Sequence, residues 1–398
     1  MVGNGKLQAA MQRYEKIHSI GANGEMLAAE MYRYVEDDNV IDHRYIIYTP
    51  VSSTCGLGNR LLSLLSTYLL ALLTDRTLIV HFSDYDIDTL FCNPFPKSKW
   101  SMPDTIKWGK IRSTMYNEPQ PAVEVTSKML RKMVRLVLSQ SSKQSTVQLL
   151  ACGGDLMERW KNVQILHISG NHYFLPLLFA NPTYTKILQG WFPDGNVAST
   201  LFSYLFHPRD YIIDEVSQTL KDSHHFYRIG LQARYFYGLV KLASANTAIH
   251  CLDVLKPEHV FVASLHCEVS EYLANNRLWN ITHRYSEGKQ LTGRKQASEA
   301  VHDIWMLAVC DDLVVTKRST LGYVATALSK KLPMFLSGPN EEGACSRAIS
   351  HEPCFHRKMP FESDFCDAFP DASYRLFPNP NIFMTCEDTI GVKLRVKY

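Results

Sequence analysis

Neither sign of charge dominates this chain: 42 lysines and arginines stand against 39 aspartates and glutamates in 398 residues, and the basic ones are scattered. A net formal charge of +3 gives polyanion binding no support, so no nucleic-acid partner is expected. Long apolar runs are also missing. The longest, Leu61 to Leu73, carries Ser63, Ser66 and Thr67 and stops short of the eighteen or so residues of a membrane helix, which predicts a buried core helix. The N-terminus, Met1-Val2-Gly3-Asn4-Gly5-Lys6, has neither an apolar signal core nor a glycine at position two, so the chain as written predicts a soluble protein without an address. Metal signatures are absent. Asp84-Tyr85-Asp86-Ile87-Asp88 has Thr89 where a calcium loop needs glycine and Phe95 where it needs glutamate. His250-Cys251 and His266-Cys267 lack the paired spacing of a zinc site, and no His-Glu-x-x-His or Gly-x-Ser-x-Gly occurs. A zinc enzyme and a serine hydrolase are therefore disfavoured.

What remains is an ordinary globular composition, 46% hydrophobic, in a chain of two-domain size. Ten cysteines are present. Cys345, Cys354, Cys366 and Cys386 crowd a loop-rich C-terminal stretch where cross-links are expected, Cys345 with Cys354 or Cys366. Cys55, Cys92, Cys152, Cys267 and Cys310 sit among apolar residues and read as buried free thiols. Asn280-Ile281-Thr282 is a glycosylation sequon.

Apolar spacing predicts helices over Leu7 to Ile20 and Glu25 to Val35. Tyr45 to Tyr48, a Cys55-Gly56-Leu57-Gly58 loop, Asn59 to Leu73 and Thr77 to Phe82 then read as a βαβ unit. Val125 to Leu138 reads as a basic amphipathic helix carrying Lys128, Arg131, Lys132 and Arg135, suited to a solvated face or a membrane surface. Val163 to Ile168 is a further strand, and Tyr211 to Leu220 a helix. From Tyr227 the alternation is regular: strands Ile229 to Tyr235, His259 to Ser264, Leu313 to Thr316 and Leu332 to Phe335, with helices Val269 to Asn275, Ser298 to Ala308 and Thr320 to Ser329. Strands alternating with helices imply parallel sheets covered on both faces. Two such blocks predict two Rossmann-like lobes, 1–222 and 223–398, the second ending in a Cys-rich tail from about 345. Ligands of open α/β sheets sit beyond the carboxyl ends of the strands, so the loops there matter most.

Three of those loops carry chemistry. Gly56-Leu57-Gly58-Asn59-Arg60 supplies two glycines of a dinucleotide fingerprint, but Leu61 replaces the third, which disfavours a nicotinamide oxidoreductase. The amide of Asn59 and the guanidinium of Arg60 suit a polar ligand; an N-cap beside a surface arginine is the alternative. In Ile229-Gly230-Leu231-Gln232-Ala233-Arg234, Gln232 and Arg234 point to one side of a buried strand. An arginine there needs an anion, either a phosphate or a structural carboxylate. Ser319 and Thr320 follow a strand and open a helix, where they cap it or, with its free N–H groups, hold a diphosphate.

These segments, in this order, resemble the plant xyloglucan fucosyltransferases, glycosyltransferase family 37. The resemblance runs from about Leu7 to Cys366 and includes Ala71-Leu72-Leu73-Thr74-Asp75-Arg76, Tyr173-Phe174-Leu175-Pro176, Tyr204-Leu205-Phe206-His207-Pro208, Ser319-Thr320-Leu321-Gly322-Tyr323 and Glu352-Pro353-Cys354-Phe355-His356. It implies a variant GT-B fold of two Rossmann-like lobes with an intervening cleft. It implies an inverting, metal-independent transfer of fucose from GDP-fucose to a galactose or arabinose hydroxyl of a cell-wall polysaccharide or arabinogalactan protein. It further implies a Golgi type II membrane protein, whose anchor this chain lacks, and it allows a homodimer. Carried over by position, Asn59, Arg60, Gln232, Arg234, Ser319, Thr320, Gly322 and Tyr323 bind the donor, Arg234 on its β-phosphate. Tyr173 and His207 fall on the acceptor side. Arg234, Asp303 and Asp311 are the catalytic candidates, the two aspartates as proton acceptors or as orienters of Arg234. The chain departs from the family at Ser199-Thr200-Leu201-Phe202-Ser203-Tyr204, where relatives read His-His-Leu-Gly-Arg-Tyr, at Arg318 for tryptophan, and at Asn171-His172 for Asp-Asn. Together these changes imply an altered acceptor; the histidines and arginine lost before Tyr204 motivate a second reading, a non-catalytic GDP-sugar or glycan binder.

Overall fold

The computed structural model describes residues 4–22, 27–28, 30, 43–112, 116–117, 133–139, 144–221, 223–234, 241–276, 279–283, 293–336, 345–357, 366 and 381–397. The chain opens with α1 (Gly5–Gly21), whose first turn is capped by the Asn4 side chain accepting from the Lys6 N–H. Then come β1 (Tyr45–Pro50), α2 (Leu57–Thr74), β2 (Thr77–Val80), β3 (Phe91–Cys92), α3 (Trp108–Arg112), β4 (Tyr116–Asn117) and β5 (Met133–Leu138). Next are α4 (Gln144–Cys152), α5 (Leu156–Arg159), β6 (Ile165–Gly170), α6 (Leu175–Ala180), α7 (Pro182–Trp191), α8 (Val197–Leu205), β7 (His207–Pro208) and α9 (Asp210–Leu220). Strands β2-β1-β6-β5-β4, in that order, form a fully parallel sheet. Its strands bury both faces, as continuous apolar runs such as Tyr45-Ile46-Ile47-Tyr48 require.

The second sheet draws on β8 (Arg228–Ala233), α10 (Lys241–Leu255), β9 (His259–Ser264), α11 (Cys267–Asn276), β10 (Asn280–His283), α12 (Arg294–Val309), β11 (Asp312–Thr316), α13 (Thr320–Ser329), β12 (Met334–Leu336) and β13 (Cys345–Arg347). Its order is β10-β9-β8-β11-β12-β13, with only β13 antiparallel. A hairpin of β14 (Phe383–Thr385) and β15 (Val392–Leu394) ends the described chain. That tail returns to the first half of the molecule: the Lys397 N–H donates to the Asp194 carbonyl at 2.8 Å, and the Ala198 N–H donates to Glu352 at 2.8 Å.

Helix α2 is longer than the apolar run predicts. Its 18 residues suffice by length and hydropathy to cross a membrane, yet 94% of it is buried in protein, and Arg60 lies in its first turns. It is the core helix over the first sheet. At its far end Arg76 is fully buried and donates to the carbonyls of Trp160, Gln164 and Tyr45; burial pushes its pKa down to about 9.

Three expectations are corrected. The basic helix fails over its second half, because Met133–Leu138 is strand β5, with Val134, Leu136 and Leu138 buried and Arg135 and Val137 half-buried in period-2 alternation; residues 118–132 lie outside the described residues. The cysteine pairing is also different. Cys345 joins Cys251, Cys354 joins Cys386, and Cys366 joins Cys152, which is therefore no free thiol. Of the remaining cysteines only Cys310 is buried, while Cys55, Cys92 and Cys267 are half-exposed. Third, segments read without helices contain α4, α7, α8 and α10. The second predicted helix, Glu25 to Val35, lies almost wholly outside the described residues. Asn280 of the sequon is exposed, at the start of edge strand β10.

Candidate active site

The cleft forms where the carboxyl ends of β1 and β6 face those of β8, β9 and β11. At the mouth of α2, Arg60 turns back into the protein, its side chain 3% exposed. Its Nη1 and Nη2 donate to the two carboxylate oxygens of Asp84 at 2.8 and 2.9 Å. Nε donates to the Cys55 carbonyl at 2.9 Å and Nη2 also to the Ser53 carbonyl at 2.7 Å. The guanidinium lies over the rings of both Phe82 and Tyr85, 5.1 and 5.2 Å from their centroids. Burial opposes its charge, but Asp84 and these neighbours hold its pKa above the ordinary value. Arg60 thus braces the loop 53–56 from behind.

Gly58, two residues earlier, is one of the places where the halves of the molecule meet. A Cβ there would lie 2.7 Å from the Leu321 nitrogen and the Thr320 carbonyl carbon, so only glycine admits the start of α13. On the facing side, Thr316 ties the ends of β8 and β11: its hydroxyl donates to the Gln232 carbonyl and accepts from the Arg234 N–H, both at 2.9 Å. The Gln232 side-chain oxygen is buried without a protein partner. Ser319 occupies the N-cap of α13 in extended conformation, but its hydroxyl makes no capping bond and is buried without a partner.

Two chambers open here. The first, about 340 Å³, is lined by Cys55 to Gly58, Gln232 to Arg234, Ala263 to Leu265 and the start of α12. The second, about 250 Å³, is lined by Asn59, Asn171, His172 and Tyr173 from one side and Arg318 and His356 from the other. Arg234 and Thr320 line both chambers and stand at their junction. Burial lowers the pKa of Arg234.

A sequence model of the family described as xyloglucan fucosyltransferase matches residues 5–262 and 275–364. The chain belongs to this family. Probable fucosyltransferase 4 of Arabidopsis thaliana is 29% identical over 98% of this chain and 81% of its own length. The galactoside 2-alpha-L-fucosyltransferase of the same plant is 28% identical over 88% of this chain and 70% of its own. Among solved structures, an arginine-to-lysine mutant of Arabidopsis thaliana FUT1 in complex with GDP superposes with a TM-score of 0.81 at 25% identity, covering all of this chain and 93% of that one. The fold is accordingly the two-lobed α/β architecture expected.

In this fucosyltransferase Gln232, Arg234 and Thr320 line the cleft together, as their motifs imply, and Asn59 lines the second chamber. Arg60 reaches the first chamber only as a wall, since its donors are committed to Asp84, Cys55 and Ser53. Gly322 packs on Val315, and Tyr323 turns inward, donating its hydroxyl to Asp388 at 2.6 Å, so neither faces the chambers. Asp303 lines the first chamber, beside His302 at 3.4 Å. Asp311 is placed at the wrong end of the sheet: it accepts from the Arg228 N–H at 2.8 Å. Arg234 lies six residues beyond Arg228, just past the end of β8 and about 20 Å away by the rise of a parallel strand. Tyr173 lines the second chamber but gives its hydroxyl to Glu352 at 2.9 Å. His207 is exposed on β7, paired with Cys92, and lines neither chamber. Sequence reasoning did not single out His172 and His356, which line the second chamber, although His356 closes the Glu352-Pro353-Cys354-Phe355-His356 motif, nor Asp388, which holds the Tyr323 hydroxyl behind it. Among the described residues no group of three His, Cys, Asp or Glu side chains gathers to hold a metal.

Proposed function

We propose that this chain transfers L-fucose from GDP-fucose, with inversion and without a metal, to a galactose or arabinose hydroxyl of a cell-wall polysaccharide or arabinogalactan protein. One observation carries the reading: a guanidinium, Arg234, and the uncapped start of α13 at Thr320 meet at the junction of two chambers, while Ser319 before it is buried and lines neither. The first chamber, bounded by the carboxyl ends of β8 and β9, suits the nucleotide. The second then receives the acceptor. As the sugar leaves, negative charge collects on the β-phosphate, and the fork of Arg234 with the N–H groups of α13 stabilises it as it forms. Those preset cations and dipoles supply the charge that a divalent metal supplies elsewhere, and holding the two substrates in adjoining chambers supplies orientation.

The second reading, a non-catalytic binder, was motivated by the changes at 199–204. Those residues belong to α8, where Ser199, Leu201 and Phe202 are buried, and none lines either chamber. The changes therefore leave the junction at Arg234 untouched. Three disulfides support work in an oxidising lumen, for this reading the Golgi.

The test is GDP release from GDP-fucose in EDTA against galactose- and arabinose-ended plant glycans. Acceptor-dependent release is expected, and Arg234→Lys, which keeps the charge but loses the fork, lowers it about 10²- to 10³-fold. Saturable GDP binding with no release on any acceptor, or near-normal transfer by the lysine variant, would overturn the reading.

A further inference from the structure

The donor machinery leaves one demand unmet: the acceptor hydroxyl must lose its proton. In the second chamber, Arg234 and Arg318 are cations with nothing to accept it, and the Tyr173 hydroxyl is spent on Glu352. Nearby carboxylates are engaged as well. Asp84 holds Arg60, Glu352 accepts from Tyr173 and the Ala198 N–H, and Asp388 accepts from the Tyr323 hydroxyl and the Arg318 N–H. Two imidazoles remain, His172 and His356, their rings 6.4 Å apart and edge to face.

Only one of them has its protons fixed. Tyr323 has a single hydroxyl hydrogen, and the carboxylate of Asp388, 2.6 Å away, can only accept it. The Tyr323 oxygen must therefore accept from His356, whose Nε2 lies 3.0 Å from it. Nε2 carries the hydrogen, and the lone pair of the neutral ring is left on Nδ1. The chain Asp388–Tyr323–His356 orients the imidazole as a carboxylate orients a histidine directly in other transferases and hydrolases, with a tyrosine interposed. The disulfide Cys354–Cys386, two residues from His356 and two from Asp388, clamps the ends of this chain together. By contrast, His172 has no hydrogen-bond partner among the described residues to set its tautomer, and its Nδ1 is buried.

We propose that His356 is the general base of the transfer, taking the acceptor proton on Nδ1, with Tyr323 and Asp388 as positioning residues. This rests on the fucosyl-transfer reading above. The acceptor O–H bond breaks as its oxygen forms the bond to the anomeric carbon of fucose. The carbon–oxygen bond to the diphosphate breaks with its electron pair going to GDP, and the proton on His356 is later lost to solvent. Burial, with Arg318 nearby, lowers the His356 pKa despite Asp388, which keeps the ring neutral at pH 7. Tyr323 and His172 also face it, and Arg234 lines the same chamber. His172 is held down to about 4 and stays neutral too.

The test compares the full chain with His356→Ala, His356→Gln and Tyr323→Phe, reading GDP binding, acceptor-dependent GDP release and its pH profile. Both His356 variants should bind GDP within about twofold of wild type and lose about 10²- to 10⁴-fold in kcat. Added imidazole should restore part of the activity of His356→Ala, an effect that a purely structural role would not produce. Tyr323→Phe should retain the base but lose about tenfold, the cost of an unfixed tautomer. The wild-type rate should fall with a single acid limb below pH 6.5, where protonation blocks Nδ1. A flat wild-type acid profile, or near-normal release by folded, GDP-binding His356 variants, overturns the base assignment alone. No acceptor-dependent release by wild type overturns the transferase reading and this assignment with it.

Discussion

Asp84→Ala tests whether Arg60 serves the fold or the donor. The pair is bidentate, at 2.8 and 2.9 Å, with side chains only 3% and 15% exposed. Removing one member of a buried pair costs about 3–5 kcal/mol, because a desolvated charge is left behind. The 15% exposure of Asp84 lets water reach the orphaned guanidinium, so the lower end, about 3 kcal/mol, applies. For 398 residues unfolding as one unit, that lowers Tm by about 3–4 °C. Replacing both partners by apolar residues, Arg60→Met with Asp84→Leu, removes the stranded charge and should cost less than the sum of the two single changes. Thermal melts and a GDP titration on wild type, Asp84→Ala, Arg60→Met, Asp84→Leu and the double variant form the assay. A guanidinium that braces loop 53–56 predicts equal or weaker GDP binding in Asp84→Ala, since the loop loosens. If Arg60 instead grips the donor, freeing it from its carboxylate would tighten GDP binding. Tighter GDP binding, or a Tm change under about 1 °C, refutes the brace.

Gly58→Ala places a Cβ 2.7 Å from backbone atoms of Thr320 and Leu321 and must push the start of α13 away. A loss of about 1–3 kcal/mol and weaker GDP binding are expected despite the better helix propensity of alanine; an unchanged melt and GDP affinity would count against the contact. Glu352 is fully buried, and burial raises its carboxyl from 4.5 to about 7, outweighing its bonds to Ala198 and Tyr173. The folded state therefore binds the proton more tightly than the unfolded state, so its contribution is full below pH 4.5 and is lost as pH rises to about 7, amounting to roughly 3 kcal/mol. Glu352→Gln cannot titrate, so denaturant melts should show wild type losing stability relative to the variant between pH 4.5 and 7; a pH-independent difference would refute the burial argument.

The four inner strands of the second sheet were legible because they are short apolar runs between helices of clear period, whereas its edge strands β10 and β13 were not read. His259–Ser264 and Thr320–Ser329 carry the bounds read from sequence. Strand β5 was not, because Arg135 extends a row of basic residues whose helical spacing masks the alternation of Val134, Leu136 and Leu138. Of the site, Gln232, Arg234 and Thr320 could be found because each sits beside the strand end that presents it. Asp311 misled for the converse reason: a motif gives position along the chain, not which end of the sheet it occupies. Asp388 carried no signal at all. It reaches Tyr323 from 65 residues further on, through a tail hairpin that sequence shows only as loop. The disulfides failed likewise, since Cys152 and Cys366 are 214 residues apart.

That same returning tail orders events at the ribosome. The first half of the molecule emerges complete in strands yet lacks its last supports: Glu352 over the start of α8, Lys397 on Asp194, and the partner of Cys152. At synthesis rates of about 5–20 residues per second, the Cys152 thiol waits about 10–40 s for the 214 residues that bring Cys366. Throughout that interval Cys55 and Cys92, which belong in no bridge, are the nearest thiols available to it along the nascent chain. Correct oxidation of this fucosyltransferase therefore waits for the second half of the chain, and its yield depends on thiol–disulfide exchange once Cys366 has emerged.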